Sequence, residues 1–124
     1  MEHGALAKLI SPIHGILQRI SASEISQVGI FPERLTLLFE VTREREAKFV
    51  GAIKRILAVE EAFEHGSPLC MFVSRSVMLS PSGELELSEW LVQFQVNHSA
   101  GYDPKIVEKQ AEAILFELES YLFD

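Results

Sequence analysis

The sequence predicts an α+β domain in which an antiparallel sheet carries helices on one face, with one further helix at the N-terminus. Two observations predict it. Two long β-rich runs, residues 69–79 and 84–96, flank the turn residues Ser80, Pro81, Ser82 and Gly83, where Ser and Pro open a turn and Gly takes the positive φ that closes it. Segments with apolar residues three or four apart stand before, between and after the β-patterned runs. The order is therefore helix, short strand pair, helix, long hairpin, helix. A strand, a crossover helix, two antiparallel strands and a helix make up most of a two-layer ferredoxin-like sheet.

Each element has its own signal. In the N-terminal helical segment, residues 1–21, Leu6, Leu9, Ile10, Ile13, Leu17 and Ile20 keep helical spacing. Ser11 followed by Pro12 fits an N-cap with proline at the first helical position, so a bend is expected there. Residues 25–42 read as a short strand pair, the second strand alternating Leu35, Leu37, Phe39 and Val41 with Thr36, Leu38, Glu40 and Thr42. Residues 43–65 read as a helix with Phe49, Val50, Ile53, Ile56, Leu57 and Phe63 on one stripe, and Gly66 ending it. Residues 68–97 form the hairpin. Asp103 and Pro104 start the last helix, residues 103–123, whose apolar stripe is Val107, Ala111, Ile114, Leu115, Leu118 and Leu122.

The totals set limits. A chain of 124 residues makes a single domain, 1–124, with enough buried surface for a real core. A net charge of −7 disfavours nucleic acid as a partner, since no surplus of Lys and Arg exists to displace counterions. The single cysteine excludes an internal disulfide framework. No apolar run approaches the roughly 18 residues of a membrane span, so no direct membrane insertion is expected. The expected compartment is the cytoplasm if the chain is complete and the periplasm if it is an excised domain.

Both long helices carry bases early and acids late, against the helix dipole: Arg43, Arg45 and Lys48 before Glu60, Glu61 and Glu64, then Lys105 and Lys109 before Glu117, Glu119 and Asp124. Antiparallel packing of the two helices would bring each basic start beside an acidic end.

With a four-residue loop, residues 80–83, Leu79 lies opposite Glu84, Met71 opposite Val92 and Val73 opposite Trp90, giving one core face. On the reverse face Phe72 then meets Leu91, Ser76 meets Leu87 and Met78 meets Leu85, with Cys70 and Leu38 adjoining. A face so apolar marks an interface. Leu38, Cys70, Phe72, Met78, Leu85, Leu87 and Leu91 are accordingly expected to dock on a second copy of the chain, making a homodimer. The alternative cover is the N-terminal helix.

Chemistry-bearing patterns are sparse. His3, His14, His65 and His98 share no metal-ligand spacing, and neither a CxxC pair nor a phosphate-binding glycine loop is present. His98 is the histidine best placed for a site, at the end of the hairpin. Cys70, between apolar neighbours in mid-strand, reads as an inert small hydrophobe, and Glu84, Glu86 and Glu89 read as a solvated strand edge. Arg43, Arg45 and Arg75 form a candidate anion site at a helix start. No cofactor, metal or catalytic residue is expected.

A helix, then residues 21–28 (SASEISQV), residues 33–41 (ERLTLLFEV), a helix ending in residues 60–63 (EEAF) and a hairpin closing on residues 91–96 (LVQFQV) resembles the periplasmic ferredoxin-like domains of type IV pilus and type II secretion inner-membrane platform proteins. The resemblance spans about residues 6–96. The transmembrane helix usual in that family is not among these residues, and the helix from Pro104 is additional. It implies a non-catalytic, dimerising scaffold and carries over no functional residue. The first alternative is a small acidic cytosolic chaperone or adaptor with a protein client, since the type III secretion chaperones are similar in layout. The second is a small-molecule-binding domain or enzyme using the open sheet face.

Overall fold

Four strands form one sheet in the order β1-β2-β4-β3: β1 (Ile25–Phe31), β2 (Arg34–Thr42), β3 (Leu69–Leu79) and β4 (Leu85–Val96). Every neighbouring pair is antiparallel. The helices are α1 (residues 7–13), α2 (Glu46–Glu61), entered through a 3-10 turn at Arg43–Arg45, and α3 (Pro104–Phe123). This computed structural model describes residues 7–13, 15, 25–31, 34–63, 66–97 and 103–123. For 25–31, 78, 85–87 and 104 it describes the backbone alone.

The alternation expected of β2 is present: Leu35, Leu37, Phe39 and Val41 are buried, while the residues between them are half-buried or exposed. In register, Leu37 lies opposite Val92 and Leu35 opposite Phe94. These residues, with Leu69 and Met71 of β3, form one face of the sheet and join a single core cluster with the helices. α2 contributes Phe49, Ala52, Ile53 and Ile56, and α3 contributes Val107, Ala111, Ile114, Leu115, Leu118 and Tyr121. Burial of this apolar surface drives the fold, at roughly 25 cal/mol per Å² removed from water.

Phe49 is the centre of the aromatic part of the core, with its ring 5.0–5.2 Å from those of Phe39, Trp90 and Tyr121. These tilted and edge-on contacts suit the ring quadrupoles better than a face-to-face sandwich would.

The two long helices run antiparallel, as the charge pattern suggested. Arg45 at the head of α2 donates to the Tyr121 carbonyl near the end of α3, and Arg55 meets Glu117 at 2.6 Å. That arginine offsets the negative end of the α3 dipole. Asp103 caps the start of α3, its Oδ1 accepting the Lys105 N–H at 3.0 Å.

Three expectations are corrected. The hairpin is shifted by two residues: Met71 lies opposite Phe94, Phe72 opposite Gln93, Val73 opposite Val92, Ser74 opposite Leu91, Ser76 opposite Glu89 and Met78 opposite Leu87. Two one-residue steps cause this. Ser80 N–H donates to the Glu84 carbonyl and Gly83 N–H to the Ser80 carbonyl, so the loop holds three residues, 81–83, with Gly83 at φ +88°. A bulge between Met78 and Leu79 adds the second step by leaving out Glu86. Beyond the bulge, over residues 69–78 and 87–96, the steps sum to one strand repeat, so the expected faces are kept while the partners change; Leu85, on the loop side of it, pairs with Leu79 and not with Met78 as expected.

Secondly, the helix continues through Pro12 where a bend was expected. Leu9 and Ile13, one turn apart, are both buried in the core and hold the segment on either side of the proline. Thirdly, α2 ends at Glu61, well before Gly66, although Gly66 does take a positive φ of 94° in the turn toward Ser67.

Candidate interaction surface

β3 borders the sheet, and its free side is only partly closed. In an antiparallel strand the N–H and C=O of one residue point the same way and those of the next point oppositely. Leu69 and Met71 turn theirs away from β4. Gln110 of α3, 3% exposed, accepts the Leu69 N–H at 3.0 Å, and its amide nitrogen donates to the Leu69 carbonyl at 2.8 Å and to Ser67 Oγ at 2.5 Å. Glu60 of α2 accepts the Met71 N–H at 2.7 Å. The helices thus supply side-chain caps for the first two outward-facing positions of the edge. By the two-residue period, Val73, Arg75 and Val77 are the next three.

All of residues 72–77 are exposed. Val77 at 45% and Leu79 at 60% are exposed toward the loop end of β3. Arg75, at the middle of the stretch, is held on its own subunit: its guanidinium pairs with Glu46 and lies 5.5 Å above the Trp90 ring. Glu46 also accepts a hydrogen bond from Ser88 Oγ at 3.1 Å. A carboxylate in the first turn of α2 is favoured by the helix dipole as well.

The outer face of the sheet, away from the core, gathers part of the expected patch. Phe72 is 53% exposed and Leu91 37% exposed, while Leu38, opposite Leu91, and Cys70 are half-buried. Met78, Leu85 and Leu87 lie in the strands, and their side chains are outside the described set. The corrected register places Gln93 beside Phe72, where it donates to Thr36 Oγ1 at 3.3 Å and accepts from Gln95 at 3.1 Å. The outer face is therefore an apolar patch crossed by an amide ladder. α1 does not cover it with its buried side chains, since Leu9 and Ile13 belong to the core on the other face and Lys8 pairs with Glu108 of α3.

The three arginines of the candidate anion site are put to different uses. Arg45 serves the end of α3 and stacks on the Tyr121 ring at 4.4 Å, Arg75 serves Glu46, and Arg43 is exposed in the 3-10 turn. Two of the three guanidiniums thus have internal partners. Burial and the nearby Glu60 carboxylate both push the Cys70 thiol above its ordinary pKa, as suits the inert role expected of it. His98 and the other three histidines lie outside the described residues.

Among the described residues no three of His, Cys, Asp and Glu gather as a metal site, and no helix is long and apolar enough to cross a membrane. An open groove of about 490 Å³ lies along the end of α2, lined by Ala58, Val59, Ala62 and Phe63. The described residues that line it bring no convergent polar groups of the kind that orient a small ligand. Neither protein-family models, nor characterised proteins, nor solved structures provide a match to the chain. Sequence reasoning missed Gln110 and Glu60. The available signal was Gln110 itself, a polar residue three positions after Val107 on the apolar stripe.

Proposed function

We propose that this chain is a non-catalytic protein-interaction domain that self-associates through its sheet. The observation that carries this reading is the exposed apolar stretch of β3, with Phe72, Val73, Val77 and Leu79 in one border strand and Leu91 beside it on β4. Apolar side chains exposed on both faces of a border strand are a usual mark of a protein partner.

The ferredoxin-like reading belongs to the same proposal. It is supported by β2 and β3, which are parallel with β4 between them and are joined through α2, the split βαβ arrangement. β1 then occupies the border next to β2. The dimerising scaffold implied by the resemblance to platform-protein domains agrees with this use of the sheet. A chaperone or adaptor for a separate client is the second reading, and the apolar groove of α2 is the observation that favours it.

Light scattering over a wide concentration range tests the first reading. The expected mass rises from that of a 13.9 kDa chain toward twice that value. A mass that stays at one chain up to millimolar concentration contradicts it.

A further inference from the structure

We infer that the partner at β3 is a second copy of this chain, paired edge to edge and antiparallel about a two-fold axis at Arg75; this rests on the self-association reading and names the surface. Two observations support it. The first is sequence: residues 73–77 read Val-Ser-Arg-Ser-Val, the same in both directions, with Phe72 and Met78, then Met71 and Leu79, as apolar flanks.

Antiparallel pairing about Arg75 places Val73 opposite the partner's Val77, Ser74 opposite the partner's Ser76, and Phe72 opposite the partner's Met78. Apolar residues thus meet apolar ones and serine meets serine, pairings that stabilise a sheet, with the central arginine pair the exception. An axis at Ser74 or Ser76 would instead set Arg75 against a valine.

The second observation is the limit of the open edge. Glu60 occupies the Met71 N–H on one side, and the strand runs to Leu79 and the three-residue loop on the other, the bulged residue Glu86 belonging to β4. Between these limits the outward-facing positions are Val73, Arg75, Val77 and Leu79, of which the first three straddle the axis that the sequence symmetry sets at Arg75. Their backbone parity is the one needed, because the three residues face outward together and form hydrogen-bonded pairs across the axis.

The pair of like charges at the centre is compensated within each copy, since Arg75 is already bound to Glu46 and stacked on Trp90. An isologous contact of this type closes on itself and stops at two chains. It joins two four-stranded sheets into one of eight strands.

The test uses the full chain in sedimentation equilibrium, with two kinds of variant. Val77→Pro removes an N–H that faces the edge and leaves the β3–β4 ladder intact, so the monomer folds and dimerisation weakens at least tenfold. Ser74→Cys and Ser76→Cys, each made with Cys70→Ser, are oxidised separately and mixed. Opposed residues in a non-hydrogen-bonded pair lie about 4.5 Å apart at Cα, within disulfide reach. A linked dimer is expected in the mixture and in neither variant alone. A wild-type chain that stays monomeric overturns this inference together with the self-association reading. A wild-type dimer that Val77→Pro leaves intact, or that gives no linkage in the mixture, overturns the edge pairing alone.

Discussion

Gln110 holds Leu69 as a neighbouring strand would, accepting its N–H at 3.0 Å and donating to its carbonyl at 2.8 Å. One primary amide thereby replaces the donor and acceptor of a missing strand residue. Replacing Gln110 by leucine keeps the volume and leaves the Leu69 N–H unpaired, while the Leu69 carbonyl still accepts from Ser67 Oγ at 2.6 Å. A loss of about 1–3 kcal/mol is expected, the cost of one buried polar group left unpaired. Urea unfolding reads it, and faster exchange of the Leu69 amide localises it.

Glu46 and Arg75 couple the head of α2 to β3. Both are partly exposed, so the pair is worth about 0.5–1 kcal/mol in a double-mutant cycle of Glu46→Gln and Arg75→Met. Raising the salt to 1 M should reduce that coupling, as expected for partly exposed charges. A coupling insensitive to salt would contradict a solvent-screened ion pair.

Phe72 and Phe94 lie one position off opposition on the hairpin and face opposite sides of the sheet. Phe72→Ser on the exposed side should change folding stability by less than about 0.5 kcal/mol and weaken self-association. Phe94→Ala, in the core, should cost about 3–5 kcal/mol. Thermal unfolding and sedimentation of the two variants separate the roles.

Cys70 gives a pH-dependent signature. Its thiol has a folded pKa above the unfolded value, first from burial and then from Glu60. The native state thus holds the proton where the unfolded chain has lost it. This contribution to stability is fully present below the unfolded pKa and is lost as pH rises through the folded one. Wild type compared with Cys70→Ser should therefore lose its relative stability only on the alkaline side, and disulfide-exchange labelling of Cys70 at neutral pH should be slower than for an unfolded control.

The alternation of β2 and the stripes of α2 and α3 were legible because a half-buried strand and a half-buried helix have fixed apolar periods. The face assignment of the hairpin was legible for the same reason. Its register was not: loop length and the bulge at Glu86 depend on backbone geometry at Gly83 and Met78 that no apolar pattern reports. Arg75 reads in the sequence as part of an anion site with Arg43 and Arg45, whereas its guanidinium pairs with Glu46. Gln110, a polar residue on the apolar stripe of α3, signals a buried partner without saying which backbone it reaches, and Glu60 reads only as one of the acids late in α2.

The most direct test is amide hydrogen exchange along β3, measured by NMR at low and high protein concentration. Ser74 and Ser76 should be protected at both, since their N–H groups point to β4. Val73, Arg75 and Val77 should exchange freely when dilute and gain protection together as the concentration rises. Exchange of those three amides at one unchanged, unprotected rate across the range would contradict the edge-paired dimer.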